Sequence, residues 1–214
     1  MKRLLCLALA LMLSLAALPA MAEMSLNPDQ WTEPFDFTAE DYCAWFDTMY
    51  ADKGWDGWQE GEAPEGYRAM TYVSGERMSD ITLLADAEGR VLAIGTEVNM
   101  NLADSDEATD KGSAFTFGML NIVTATRSVE QSSGGMSIVN GLSDMQNDLL
   151  KGLHDAMNEI EAAAPAEGLE SYSADAYRDV ELAGHHMNIL VKFSMADMSA
   201  TFRCVFAPMA ARPE

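Results

Sequence analysis

Apolar residues recur along residues 38–50 at helical spacing. Tyr42, Trp45, Phe46, Met49 and Tyr50 stand at i, i+3, i+4, i+7 and i+8, the stripe of a helix facing a core. Thr38 is an N-cap type, and Asp41 three residues on completes a capping-box pattern. Gly54 and Gly57 mark the helix end, and residues 52–66 read as a Gly-, Pro- and acid-containing loop. The pattern then changes period. Residues 67–73, 80–85 and 90–101 read as strands, the last two joined by the turn Asp86-Ala87-Glu88-Gly89. In the third run Leu92, Ile94, Val98 and Met100 are expected on one face, with Arg90, Glu97 and Asn99 off it.

Residues 103–113 are polar and acidic and read as a loop. Over 114–127 the spacing of Phe115, Met119, Ile122 and Thr126 predicts a helix. Ser132-Ser133-Gly134-Gly135 reads as a turn. Residues 141–163 give the clearest helix, with Leu142, Met145, Leu149, Leu153, Ala156 and Ile160 in one stripe and Pro165 after it. Strand patterns return at 169–173, 177–182, 185–195 and 199–206, where Met187, Ile189, Val191, Phe193 and Met195 alternate, as do Phe202, Cys204 and Phe206. The expected architecture is α+β: an antiparallel sheet of about six strands with two or three helices packed on one face. Each half runs from helix to antiparallel strands, so 35–102 and 112–208 are candidate halves of an internal duplication within a single domain over 23–214.

The chain's first 22 residues have a different character. Lys2 and Arg3 precede an apolar Leu/Ala-rich run over 4–18, and Ala20-Met21-Ala22 supplies small residues for a peptidase. This pattern reads as a secretory signal cleaved between Ala22 and Glu23. The run is shorter than the roughly 20 apolar residues that span a bilayer. Loss of this leader removes two of 13 basic residues and none of 34 acidic ones, leaving a mature net charge near −23. Such a surface repels nucleic acid and anionic membranes. The mature chain is therefore expected to be an extracytoplasmic, secreted or periplasmic protein, bacterial in the style of its signal, with no transmembrane span. Two cysteines remain after processing, Cys43 and Cys204, and in an oxidising compartment they form a candidate disulfide.

Chemistry-bearing motifs are sparse. His185 and His186 are adjacent, so on a strand they point to opposite faces and do not share a metal ion. The carboxylates Asp104, Asp106, Glu107 and Asp110 lack the glycine and glutamate of a calcium loop. The Gly134-Gly135-Met136-Ser137 run reads as a connector rather than an oxyanion loop, and Met195 and Met198 read as core filling rather than a copper site. No cofactor or metal is expected. Trp55-Asp56-Gly57-Trp58 is the candidate binding feature, because paired aromatic faces stack on sugars and Asp56 can accept hydroxyl hydrogens. The same two tryptophans also suit a plug at the open end of the core, and the pattern favours that role. The expected function is an extracytoplasmic binding or interaction module for a protein or glycan partner. Its rivals are a secreted hydrolase with an unmarked carboxylate site and a structural subunit.

Overall fold

The computed structural model describes residues 26–75, 78–134 and 142–210. The expected leader over 1–22, the expected cleavage site at Ala22 and Glu23, and Gly135 to Ser137 lie outside the described residues. Helix α1 spans Ala39–Tyr50. It begins where the pattern places it, because Thr38 Oγ1 accepts from Asp41 N at 3.2 Å while Asp41 Oδ2 accepts from Thr38 N at 3.2 Å. A short 3₁₀ turn follows, and Gly54 takes a left-handed φ of 68°.

Four strands come next: β1 (Gly57–Gly61), β2 (Arg68–Val73), β3 (Ile81–Ala85) and β4 (Val91–Asn101). Helices α2 (Ser105–Gly134) and α3 (Leu142–Ala163) precede β5 (Ser173–Leu182), β6 (His185–Ser194) and β7 (Ser199–Ala207). All pairings are antiparallel, in the order β1-β2-β3-β4-β7-β6-β5. The fold is α+β as expected, with seven strands rather than six. Two consecutive meanders, β1 to β4 and β5 to β7, meet at the β4–β7 pair.

Four local readings are corrected, the first being that Ser132 to Gly134, read as part of a turn, are the end of α2. Residues 57–61 are a strand, because Trp58 and Glu60 pair with Tyr72 and Met70 along β2. Residues 169–171 form a 3₁₀ turn, and β5 then runs unbroken from Ser173 to Leu182. The polar stretch after residue 104 is helical. Asp104 Oδ1 accepts from the backbone N–H of Asp106 and Glu107 at 3.1 and 3.0 Å, and the first-turn carboxylates Asp106 and Glu107 suit the positive end of the helix.

The three helices cover one face of the sheet. The main core lies between them and includes Phe115, Met119 and Ile122 of α2, Leu149, Leu153 and Ile160 of α3, and the alternating Met187, Ile189 and Val191 of β6. Gly152 lets α3 approach closely: a Cβ there would lie 2.4 Å from Val180 Cγ2. The opposite face carries a second, smaller core, where Leu26 and Trp31 cover Leu84, Leu92, Ala93, Val205 and Ala207. The chain then wraps the end of β4. Phe35 N donates to Val91 O at 2.7 Å, and Val91 N donates to Phe37 O at 3.3 Å. Leu92 departs from its expected face. The register shifts from Leu84↔Ala93 to Ala85↔Val91, so a bulge inserts Leu92 and turns it onto the second core.

Candidate functional site

The aromatic residues of the N-terminal half form a continuous wall. Phe35 stacks on Phe37 at 4.9 Å, Phe37 on Tyr42 at 5.8 Å, and Tyr42 meets Phe46 at 5.3 Å. Trp58 enters this wall from β1, edge-on to Phe46 at 5.7 Å and to Tyr72 at 5.2 Å. Trp55 stacks on Tyr50 at 4.9 Å and covers Gly75, where a Cβ would lie 2.2 Å from its Nε1. Both tryptophans are half-buried, while Asp56 is exposed. Trp58 Nε1 is buried without a partner. The rings thus turn toward the core, in the arrangement of a plug.

The outer side of α1 is different. Its fully buried positions are Ala39, Tyr42 and Phe46. Trp45 and Met49 fall on the shoulder of that axis, toward α2. Met49, read from its spacing as a core residue, is 55% exposed. A groove of about 330 Å³ runs along this shoulder, lined by Asp41, Ala44, Trp45, Thr48 and Met49 of α1 and by Val129 of α2. Asp41 and Val129 share the groove, while Tyr50 hydrogen-bonds Asn121, so α1 and α2 run in opposite directions. The floor is aromatic and thioether, and Asp41 is the carboxylate that lines it. Helix α1 carries Glu40, Asp41 and Asp47 and no basic residue. That field is felt nearby: burial first, then the charges of Asp47 and Glu40, push the Cys43 thiol up to about 12.

A second cluster joins the β5–β6 hairpin to α2. Ala183 and Gly184 take φ values of 52° and 86°, the paired left-handed conformations of a tight hairpin turn. The turn delivers His185 to Glu130, with Nε2 2.5 Å from Oε1, and Arg127 Nη1 donates to Glu130 Oε2 at 3.0 Å. The imidazole rests against Phe35 at 5.1 Å and Phe206 at 5.5 Å, and its Nδ1 is buried without a partner. Burial alone would raise the Glu130 carboxyl. The hydrogen bond and charge of His185, with those of Arg127, outweigh it and hold the carboxyl below its ordinary range. His186 points to the opposite face, where Nδ1 lies 2.9 Å from Asp179 Oδ2.

Other candidates are dispersed. Cys204 is fully buried on β7 and Cys43 half-buried on α1, and both are free thiols, so the expected bridge is not formed. The fully buried Tyr42 is influenced by both sulfurs, whereas Cys43 answers to Asp47, Glu40 and Arg68 at the helix margin. Asp80 is the carboxyl among the described residues that burial raises, yet it ties a loop, accepting from Ser74 N at 3.0 Å and from Ser74 Oγ at 3.2 Å. Asp104 is spent on its helix cap. Among the described residues, no group of three or more His, Cys, Asp and Glu is placed to hold a metal ion, and no helix is long and apolar enough to cross a membrane.

Spacing alone did not reveal the groove, although one signal was present. Ala39 lies on the same side of the helix as Tyr42 and Phe46, so counting it moves the buried axis away from Trp45 and Met49. Compared with protein-family models, curated proteins and solved structures, the chain matches none.

Proposed function

We propose that this chain is an extracytoplasmic binding module whose partner seats on the α1–α2 shoulder. The observation that carries this reading is the groove itself: Met49, 55% exposed, beside a half-buried Trp45 in an indentation of about 330 Å³. Tryptophan and methionine are enriched at protein interfaces, where large polarizable side chains fill a partner's surface at low entropic cost. The leader over residues 1–22 supports export, and the charge near −23 supports a role away from nucleic acid and anionic membranes.

The test has two parts. Mass spectrometry of the exported protein is to show Glu23 as the new N-terminus; full-length chain recovered from the cytosol refutes export. A pull-down from the extracytoplasmic fraction is then run beside Met49→Lys, a change at an exposed position that leaves the core intact. A partner retained by the wild type and lost by the variant supports the reading. Retention by both removes the groove from it.

A further inference from the structure

We infer that the N-terminal arm over residues 26–34 is a detachable strap. It lifts as a unit while the body of the fold stays closed, and its release bares an apolar strip on the sheet face away from the helices. Three observations carry this, none of them at the α1–α2 groove. The first is that the strap is complete in itself. Asn27 Oδ1 accepts from Asp29 N at 3.0 Å. Gln30 N and Trp31 N donate to Asn27 O and Pro28 O at 3.1 and 3.2 Å, closing a 3₁₀ turn over Pro28–Gln30. Among the described residues, backbone bonding to the sheet begins only at Phe35, whose N donates to Val91 O at 2.7 Å. The second is that the strap covers a core of its own. Leu26 and Trp31 belong to the smaller cluster with Leu84, Leu92, Ala93, Val205 and Ala207, and no residue of the strap belongs to the larger one. The third is an imperfect hold. Trp31 is buried, yet its Nε1 is buried without a partner, a desolvated donor that regains water when the strap lifts.

The hinge is bounded on both sides. Thr32 and Glu33 are exposed, and Pro34 biases Glu33 toward extended backbone. Beyond them Phe35 is fixed by Val91 and by its stack on Phe37. On the other side, the tie from Thr32 Oγ1 to Met209 Sδ, at 3.5 Å, is a weak bond to sulfur. The strip beneath is drawn from β3, β4 and β7, and the bulge adds Leu92 to it. The same face continues in polar residues: Arg203 lies opposite Glu97, and Thr201 Oγ1 donates to Asn99 Oδ1 at 2.6 Å. Opening the strap therefore changes one part of that face from covered to apolar and leaves the helical face as it was.

The experiment labels thiols in the native protein over a range of urea concentrations and reads each site by mass spectrometry. Ala93→Cys places a thiol under the strap at a fully buried position, while the native Cys204, also fully buried, reports the main core. The Ala93→Cys thiol is expected to react at least tenfold faster than Cys204 without urea. Its rate should also depend less steeply on urea, because a local opening exposes less surface than global unfolding. Ile122→Val, a small loss in the main core, should speed labelling of Cys204 about fivefold and leave the Ala93→Cys thiol unchanged. Equal rates with equal urea dependence overturn the strap, since the strip then opens only with the whole fold. An Ile122→Val change that speeds both sites alike overturns it too. Should Ala93→Cys not fold, the wild type decides. Chymotrypsin is expected to cut after Trp31 before it cuts within β3, β4 or β7; first cuts in those strands refute separate opening.

Discussion

Gly152 shows how one missing Cβ sets the distance between α3 and the sheet. A methyl group there would meet Val180 Cγ2 at 2.4 Å and Ile189 Cδ1 at 3.4 Å. Alanine gains about 1 kcal/mol of helix propensity, but the overpacking costs about 1–3 kcal/mol. Gly152→Ala should therefore lower stability in chemical denaturation; a gain would mean that Val180 turns aside freely. Glu130 makes a pH-dependent contribution. Its carboxyl lies below the ordinary 4.5 in the folded chain. It binds a proton more readily when unfolded, so its pairing adds stability above that value and loses it as pH falls through the folded one. The stability gap between wild type and Glu130→Gln should narrow as pH falls through and below the ordinary carboxylate range. A constant gap would mean that the carboxylate stabilises nothing through its charge. At the thiols, burial holds both Cys43 and Cys204 up to about 12. Thiolate is the reactive form, so both should react slowly with a disulfide reagent at neutral pH in the native protein and fully in denaturant. Absence of the two thiols after denaturation would restore the bridge.

Elements differed in how much of themselves their sequence disclosed. Helix α3 was legible because its buried positions keep one period over about four turns, from Met145 to Ile160. Strands β6 and β7 were legible for the same reason at period two. What escaped notice depends on contacts from outside the element. Strand β1 has five residues, two of them glycine, and becomes a strand only because β2 pairs with it. Leu92 looked like its neighbours until the bulge turned it over. Residues 105–113 hid a helix whose start is defined by a side-chain cap, not by apolar spacing. The candidate site was half legible. Trp55 and Trp58 were found, and the plug role the pattern favoured matches their ring contacts; the groove beside them depends on the α1–α2 crossing. The plug makes a prediction for β1. Trp58→Ala removes a ring held by Tyr42, Phe46 and Tyr72. It should cost about 3 kcal/mol, near the low end for such truncations because the ring is only half-buried. Mono- and oligosaccharides should leave the tryptophan emission of the wild type unchanged; a saturable shift would return Trp55, Asp56 and Trp58 to a glycan site.

Over the whole molecule the excess of carboxylates is a standing repulsion. Ion pairs such as Arg68–Glu40, Lys151–Asp155 and Arg178–Glu159 sit at the surface and offset little of it. Raising salt shortens the screening length to about 10 Å at 0.1 M and weakens that repulsion more than it weakens the pairs in contact. The melting temperature should rise by several degrees between low and physiological salt; a fall would assign the ion pairs the larger share. The sheet adds a constraint of another kind. Its centre joins Ile94 to Phe206 and Asn101 to Ser199, residues roughly a hundred positions apart, and pairings of such separation form slowly. Each meander can assemble from neighbours, but the two cannot unite until nearly the whole chain has been made. If the export-signal pattern at the chain's start is used, that delay leaves the two meanders unjoined until β7, the last strand, has been made.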